Sequence, residues 1–329
     1  MATYLFAMLA FVLLLVLVFL VAWAVRKYWS TAPYSQHRVA GVSHPYGIYE
    51  SIGRRPTMED RHVVLPLHGC EGLYGHPSGE GAVLPPTLFG VFDGHAGSAA
   101  AEFCSSRLGS VLMNDASWPS SPEKALTNAF HVLDASFLEL ASSIRPPLND
   151  GTTAVAALTL GGRLLVANAG DSRAVIVQRD GSAHALSEDH KPERPDERKR
   201  ILGLGGTVYF HGVWRVEGVL AVSRAIGDRG LKPYVSSTPE LRWWDCTPSD
   251  AALVIACDGL WDVLSNAQVA EVVLAAMHPL PDKEEPHEAA QRASAALVRQ
   301  AIIKGSLDNV TCLVVDLRRD HLSRHRAEA

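Results

Sequence analysis

The chain is patterned as short apolar runs that end on acids and glycines. Leu88-Phe89-Gly90-Val91-Phe92 predicts a buried strand, and Asp93-Gly94-His95-Ala96-Gly97 follows it directly. The small residues from Ser98 onward predict a helix to about Leu112. A strand therefore carries the Asp93 carboxylate to a sheet end. The chain turns there, where Gly94 allows a close approach closed to other residues. The arrangement recurs at Leu253-Val254-Ile255-Ala256-Cys257, followed by Asp258-Gly259-Leu260-Trp261-Asp262. Glu59 and Asp60 precede a strand at Val63–Leu65, and Asp308 precedes one from Val310 to Leu317.

Other elements follow from the period of the pattern. Gly47 to Gly53 reads as a strand, and the globular body starts near Tyr46. Ser121-Pro122-Glu123 opens a helix with a capping residue, a proline at its first position and an acid at its positive end. Its stripe of Leu126, Ala129, Phe130, Leu133, Phe137 and Leu140 is expected in the core. Thr153–Leu160 and Arg163–Asn168 alternate as strands around a two-residue turn, Gly161-Gly162, and Arg173–Gln178 is a third strand. A short charged helix, Pro195 to Leu202, is expected to end at Gly203. Thr207 to Lys232 reads as a loop-rich insert. Ser265 and Gln268 form a capping box for a helix to about Met277, and a second helix runs from Pro286 to Lys304. Many short antiparallel-looking strands with helices in pairs predict a β-sandwich covered by helices. A doubly wound parallel sheet needs one helix per strand and does not fit.

The N-terminus differs from this body. Ala2 to Val25 has no charged residue and is long enough to cross a bilayer, and Arg26-Lys27-Tyr28-Trp29 adds positive charge and interfacial aromatics at one end. Ala22-Trp23-Ala24 would suit signal cleavage, but the run is too long for a signal core and no Lys or Arg precedes it. The expectation is an uncleaved single-pass membrane anchor with the body in the cytosol, a linker over 26–45 and a polar tail over 319–329. Gly69 to Pro86 reads as a surface loop. The 329 residues are 47% hydrophobic and 20% charged with a net charge of −5, enough for a large core and no sign of nucleic-acid binding. The five cysteines lack CxxC spacing, which fits a reduced compartment, and the 14 histidines form no HExxH motif.

Five acids thus stand at strand ends, and a sandwich can bring them to one edge. Clustered carboxylates raise one another's pKa unless a cation neutralises them, and oxygen-only ligands suit Mg²⁺ or Mn²⁺. Two such ions can activate water and clamp a phosphoryl group. Ordinary turn acids would show the same spacing.

The chain resembles the metal-dependent type 2C (PPM) protein phosphatases of serine and threonine. The resemblance rests on Arg55-Pro56-Thr57-Met58-Glu59-Asp60, Val91–Gly97, Asp150-Gly151-Thr152-Thr153-Ala154 and Ala169-Gly170-Asp171-Ser172-Arg173. It continues with Leu220–Asp228, Cys257–Asp262 and Asp308-Asn309-Val310-Thr311, all in the family's order between Tyr46 and Leu317. It implies an α+β fold, a four-layer αββα sandwich of two antiparallel sheets flanked by helix pairs, over a phosphatase domain at 46–318. It further implies phosphoprotein substrates and two Mg²⁺ or Mn²⁺ ions, with a weaker third site.

By this resemblance Asp93 bridges the two ions, Gly94 offers its carbonyl, Glu59 binds on one side and Asp258 and Asp308 on the other. Asp60 holds metal-bound waters, and Asp171, Asp258 and Asp262 resemble the third site. Arg55 grips the substrate phosphate and His95 is the general acid. Arg224 and Asp228 are expected to be structural. A variable flap is expected over 185–235, and Trp214 within it takes no role. A non-catalytic phosphoprotein-binding scaffold on the same fold and a two-metal phosphodiesterase are the competing functions. The intact Glu59, Asp93, Asp258 and Asp308 speak against the scaffold, and the order of the motifs against the phosphodiesterase.

Overall fold

A computed structural model describes residues 39–70, 85–277 and 286–318. The expected anchor at 2–25 and the tail at 319–329 lie outside the described residues, as does most of the loop between Gly69 and Pro86. Among the described residues no helix is long and apolar enough to cross a membrane. Within the stretch read as a linker, residues 39–45 lie on the sandwich: Val39 donates its N–H to the Tyr46 hydroxyl, and Ser43 donates its own to Thr87 Oγ1.

The strands in chain order are β1 (Tyr46–Ser51), β2 (Arg61–Pro66), β3 (Thr87–Phe92), β4 (Gly94–His95), β5 (Gly151–Thr152), β6 (Ala154–Leu160), β7 (Arg163–Ala169) and β8 (Arg173–Gln178). They continue with β9 (Ala183–Ala185), β10 (Val208–His211), β11 (Val213–Val216), β12 (Ile226–Gly227), β13 (Glu240–Asp245), β14 (Asp250–Ala256) and β15 (Val310–Asp316). The helices are α1 (Ala99–Met113), α2 (Pro122–Ser143), α3 (Pro195–Gly203), α4 (Asp258–Trp261), α5 (Asn266–Met277) and α6 (Pro286–Ile303). Two five-stranded sheets form, in the orders β1-β15-β14-β8-β9 and β13-β7-β6-β3-β2, with every pairing antiparallel.

Strand alternation sorts the core into layers. Phe89 and Val91 of β3, Val155 and Ala157 of β6, and Ile255 and Leu313 of the other sheet fill the space between the sheets. Their neighbours Leu88, Phe92, Ala156 and Leu158 face α1 and α2 instead. Val254, Val314 and Cys312 face α5 and α6. Each large side chain buried this way contributes about 1.5–3 kcal/mol. The result is the expected four-layer α+β sandwich. The β6–β7 hairpin turns at Gly161 and Gly162, whose φ angles of 58° and 91° are the positive values such a turn demands. The capping box is formed: Ser265 Oγ accepts the Gln268 N–H at 3.3 Å, and Gln268 Oε1 accepts the Ser265 N–H at 3.1 Å.

Several expectations need correction. Leu140 is 41% exposed, because at this end of α2 the buried side is formed by Phe137 and Ala141. The Ser121 side chain makes no cap bond. Glu123 instead accepts the Trp243 indole N–H at 2.7 Å. Helix α3 ends at Gly203 as expected, but the left-handed glycine that follows it is Gly205. The insert at 207–232 contains the β10–β11 hairpin, turning at Gly212 with φ 74°. Arg318, the last residue of the expected domain, is held by Asp316 and by the Met277 carbonyl.

Candidate active site

The apolar run of β3 ends at Phe92, and the backbone of Asp93 is then fixed by a neighbouring strand end. Its carbonyl accepts the Thr153 N–H at 2.9 Å and the Thr152 hydroxyl at 3.1 Å. The next two residues, β4, pair with β5, which pairs in turn with β12. This small ladder carries the Gly94 backbone and the His95 ring into a cleft. A side chain at Gly94 would begin 2.5 Å from the Glu59 carbonyl oxygen, so the bare backbone is required there. The cleft, about 320 Å³, is also lined by Arg55, Glu59, Thr153, Asp171, Asp258 and Asp308.

Two strand ends from different sheets therefore meet, as the sequence pattern anticipated. One carboxylate oxygen from each of Asp93, Asp171 and Asp258 lies within 4.8 Å of the others. Asp60 and the Cys257 thiol form a second group with Asp93 on the same limit. Burial first, then repulsion from Asp171 and Asp262, pushes Asp258 up to about 8. Burial raises Asp93 well above the usual carboxylate range, with the Asp258 charge adding to it. Burial likewise lifts Asp60 to about 6. Neither Asp93 nor Asp258 has an ion-pair partner among the described residues. Asp262 stands outside the close groups but near enough for burial and the Asp171 charge to raise its pKa.

Two cations approach the cluster from its rim. Arg55 Nη2 lies 2.5 Å from Asp308 Oδ2, and Lys191 Nζ lies 2.5 Å from Asp171 Oδ2. The loop that carries Arg55 and Glu59 is clamped by Asn309. This buried amide accepts the Glu59 N–H at 2.8 Å and donates to the carbonyls of Ile52 and Thr57 at 2.9 and 3.0 Å. His95 Nε2 is 2.9 Å from both carboxylate oxygens of Asp228. Burial opposes a charged imidazole, but the bond to Asp228 and its charge outweigh it and raise the His95 pKa.

Of the residues expected at the site, Arg55, Glu59, Asp93, Gly94, His95, Asp171, Asp258 and Asp308 line one cleft. Asp60 lies behind it, beside Asp93 and Cys257. Sequence reasoning missed Lys191, the clamp by Asn309, Arg215 on the cleft wall, and the contact from Asp228 to His95. Asp228 was read as structural. Its place in the Ser223–Asp228 motif was visible, but its partner 133 residues away was not. Arg224 fits the structural reading, since it bridges Glu197 and Glu240.

The donor set suits a hard divalent cation. Apart from one thiol, every close donor is a carboxylate oxygen, and Asp60 Oδ2 is buried without any hydrogen-bond partner. The Cys257 thiol is fully buried, accepts the Thr311 N–H at 3.1 Å, and is pushed up by burial, so it stays protonated. Crowded acids that burial drives toward the neutral form are what a bound cation would ionise.

Comparison with known proteins agrees with this geometry. Residues 46–310 match the family model described as protein phosphatase 2C. The chain is 43% identical over 270 residues to "Probable protein phosphatase 2C 71" of Arabidopsis thaliana, covering 82% of this chain and 55% of that protein. It is equally identical over 270 residues to "Probable protein phosphatase 2C 59" of the same plant, covering 78% of that one. The chain thus spans about half the length of the first relative and most of the second. The crystal structure of serine-threonine phosphatase 2C from Toxoplasma gondii superposes with a TM-score of 0.67 at 27% identity, covering 84% of this chain and 96% of that one. The chain belongs to the protein phosphatase 2C family, metal-dependent enzymes, and residues 46–310 are its serine/threonine phosphatase domain.

Proposed function

We propose that the protein hydrolyses phosphoserine and phosphothreonine on proteins at a two-cation site, on the cytosolic face of a membrane to which residues 2–25 anchor it. The phosphatase domain is read as 46–318, preceded by a stretch at 26–45 whose residues 39–45 lie on the sandwich. The observation that carries the catalytic reading is the convergence of Asp93, Asp171 and Asp258 within 4.8 Å while burial and mutual repulsion hold Asp93 and Asp258 toward the protonated form. Glu59, Asp93, the Gly94 carbonyl, Asp258 and Asp308 would hold two Mg²⁺ or Mn²⁺ ions, with Asp60 behind them and Asp171, Asp258 and Asp262 at a weaker third site. When bound, such ions lower the pKa of water and offset phosphoryl charge.

The chain's own groups supply the rest. Arg55 exchanges its contact with Asp308 for the phosphoryl oxygens, which its guanidinium can meet in pairs. Asn309 keeps the Arg55–Glu59 loop in register for that exchange. His95 holds the proton needed by the departing seryl or threonyl oxygen.

The test uses the full chain, stripped with chelator and assayed on a phosphopeptide. Phosphate release is expected only after Mg²⁺ or Mn²⁺ is restored, and full turnover without metal would overturn the reading. For the anchor, the protein is expected to stay with membranes through carbonate extraction. A secreted product beginning near Val25 would contradict it.

A further inference from the structure

His95 has two ring nitrogens, and the fold commits one of them. Nε2 faces both oxygens of the Asp228 carboxylate at 2.9 Å, and that side chain is only 5% exposed. Nδ1 has no hydrogen-bond partner among the described residues, and the ring lines the cleft. The contact is built into the backbone. His95 belongs to β4 and Asp228 directly follows β12, the two outer strands of the β4-β5-β12 ladder, and Gly151 of β5 lies between them. A Cβ at Gly151 would sit 2.2 Å from Asp228 Oδ2 and 2.3 Å from His95 Nε2, so the pair can meet only across a glycine. Asp228 itself takes a left-handed conformation, φ 51°, which few residues other than glycine, asparagine and aspartate adopt readily. Its N–H is tied to the Asp150 carbonyl at 3.1 Å, and the Gly227 N–H before it is tied to Asp134 Oδ1 at 2.8 Å.

We propose that Asp228 is the positioning residue for the general acid. It holds the His95 ring with Nε2–H turned inward, so that Nδ1 is the nitrogen that gives the proton to the leaving oxygen. The inference rests on the phosphatase reading above. In the step, water oxygen bonds to phosphorus and the bond from phosphorus to the seryl oxygen breaks. The bonding pair goes to that oxygen, which takes the proton from Nδ1. The ring keeps its Nε2–H on Asp228, and the proton released by the attacking water passes to solvent, which reloads Nδ1. An Asp228 that served only the fold would also stabilise its tight turn, but it would have no effect on which leaving group is protonated.

The test compares a phosphoserine peptide, whose alkoxide leaves poorly, with 4-nitrophenyl phosphate, whose leaving group needs little protonation. A general acid supplies about 10²–10⁴ in rate. Asp228→Asn in the full chain is expected to lose about 10–10²-fold of kcat on the peptide, a share of that range, and far less on the aryl phosphate. Combined with His95→Gln, it is expected to slow the peptide reaction no further than His95→Gln alone, because two residues acting as one unit are not additive. Equal losses on both substrates, or additive losses in the double variant, would overturn the proposal. Wild-type inactivity on both substrates would instead overturn the phosphatase reading. Should Asp228→Asn fail to fold, ¹⁵N resonances of histidine-labelled wild-type protein decide the matter. The neutral His95 ring is expected to carry its proton on Nε2, and an Nδ1–H tautomer would contradict the assignment.

Discussion

Two buried groups of charges sit in this sandwich, and they are built on opposite principles. Within the segment 185–235, Glu197 is 1% exposed yet fully answered. It accepts from Arg224 at 2.7 Å, from Arg200 at 2.8 Å and from the Ser223 hydroxyl at 2.7 Å. Burial alone would raise its pKa, but these bonds hold it well below the usual carboxylate range. At the cleft, Asp93 and Asp258 are crowded by other acids and make no ion pair among the described residues, and their pKa values rise although the Lys191 charge opposes the shift at Asp258. Charge buried with its partners serves the fold. Charge buried without them marks the place where the protein relies on something it does not carry in its own sequence.

The two regions accordingly respond to mutation in opposite ways. Asp93→Asn is expected to lower phosphopeptide turnover by about 10²–10³-fold or more, the scale of losing one charge-stabilising group. The metal-free fold should be kept, since one repulsive carboxylate is gone. Thermal melting and steady-state assays on the same preparation check both halves. Glu197→Gln leaves two guanidinium groups facing a neutral amide. It is expected to cost about 3–5 kcal/mol in urea unfolding while kcat per folded molecule stays near wild type. Reversal of the two outcomes would break the distinction.

The response to pH sharpens the contrast. A folded-state pKa raised above the unfolded value means that stability is lost as pH rises. For Asp258 the window runs from about 4 to about 8 in the metal-free protein. The lowered pKa of Glu197 acts the other way, giving stability present above its ordinary value near 4.5 and lost as pH falls below it. Mg²⁺ or Mn²⁺ is therefore expected to raise Tm little at pH 5 and increasingly toward pH 8. The gain approaches about 2.7 kcal/mol at a hundredfold excess over Kd. A metal-induced shift that ignores pH would contradict this. The smallest effect belongs to a residue that bonds to neither group. Ser265→Ala, which removes the capping box of α5, should cost about 1 kcal/mol in denaturant unfolding and leave kinetics unchanged.

The sandwich was legible where a strand has one clear face on each side. In β3 and β6 successive residues belong to different core layers and both faces are buried, so a short continuous apolar run marks each strand. The β10–β11 hairpin was not legible, because Tyr209, Phe210 and Val213 put apolar side chains into solvent and erase the pattern. Glu59, Asp60, Asp93, Asp258 and Asp308 were legible because each stands at the end of an apolar strand, whereas Asp171 and Asp262 came only from the family resemblance. Lys191, Asn309 and the pairing of His95 with Asp228 were not. Each depends on contacts between segments far apart in the chain, and no local period records a partner of that kind.

Mn²⁺ uptake by the chelator-stripped full chain, followed by equilibrium dialysis beside Asp93→Asn and Glu197→Gln, tests most directly whether the unanswered acids at the cleft exist to hold divalent cations. The account predicts that wild type and Glu197→Gln take up at least two ions per chain and that Asp93→Asn loses them. Equal uptake by wild type and Asp93→Asn would contradict it.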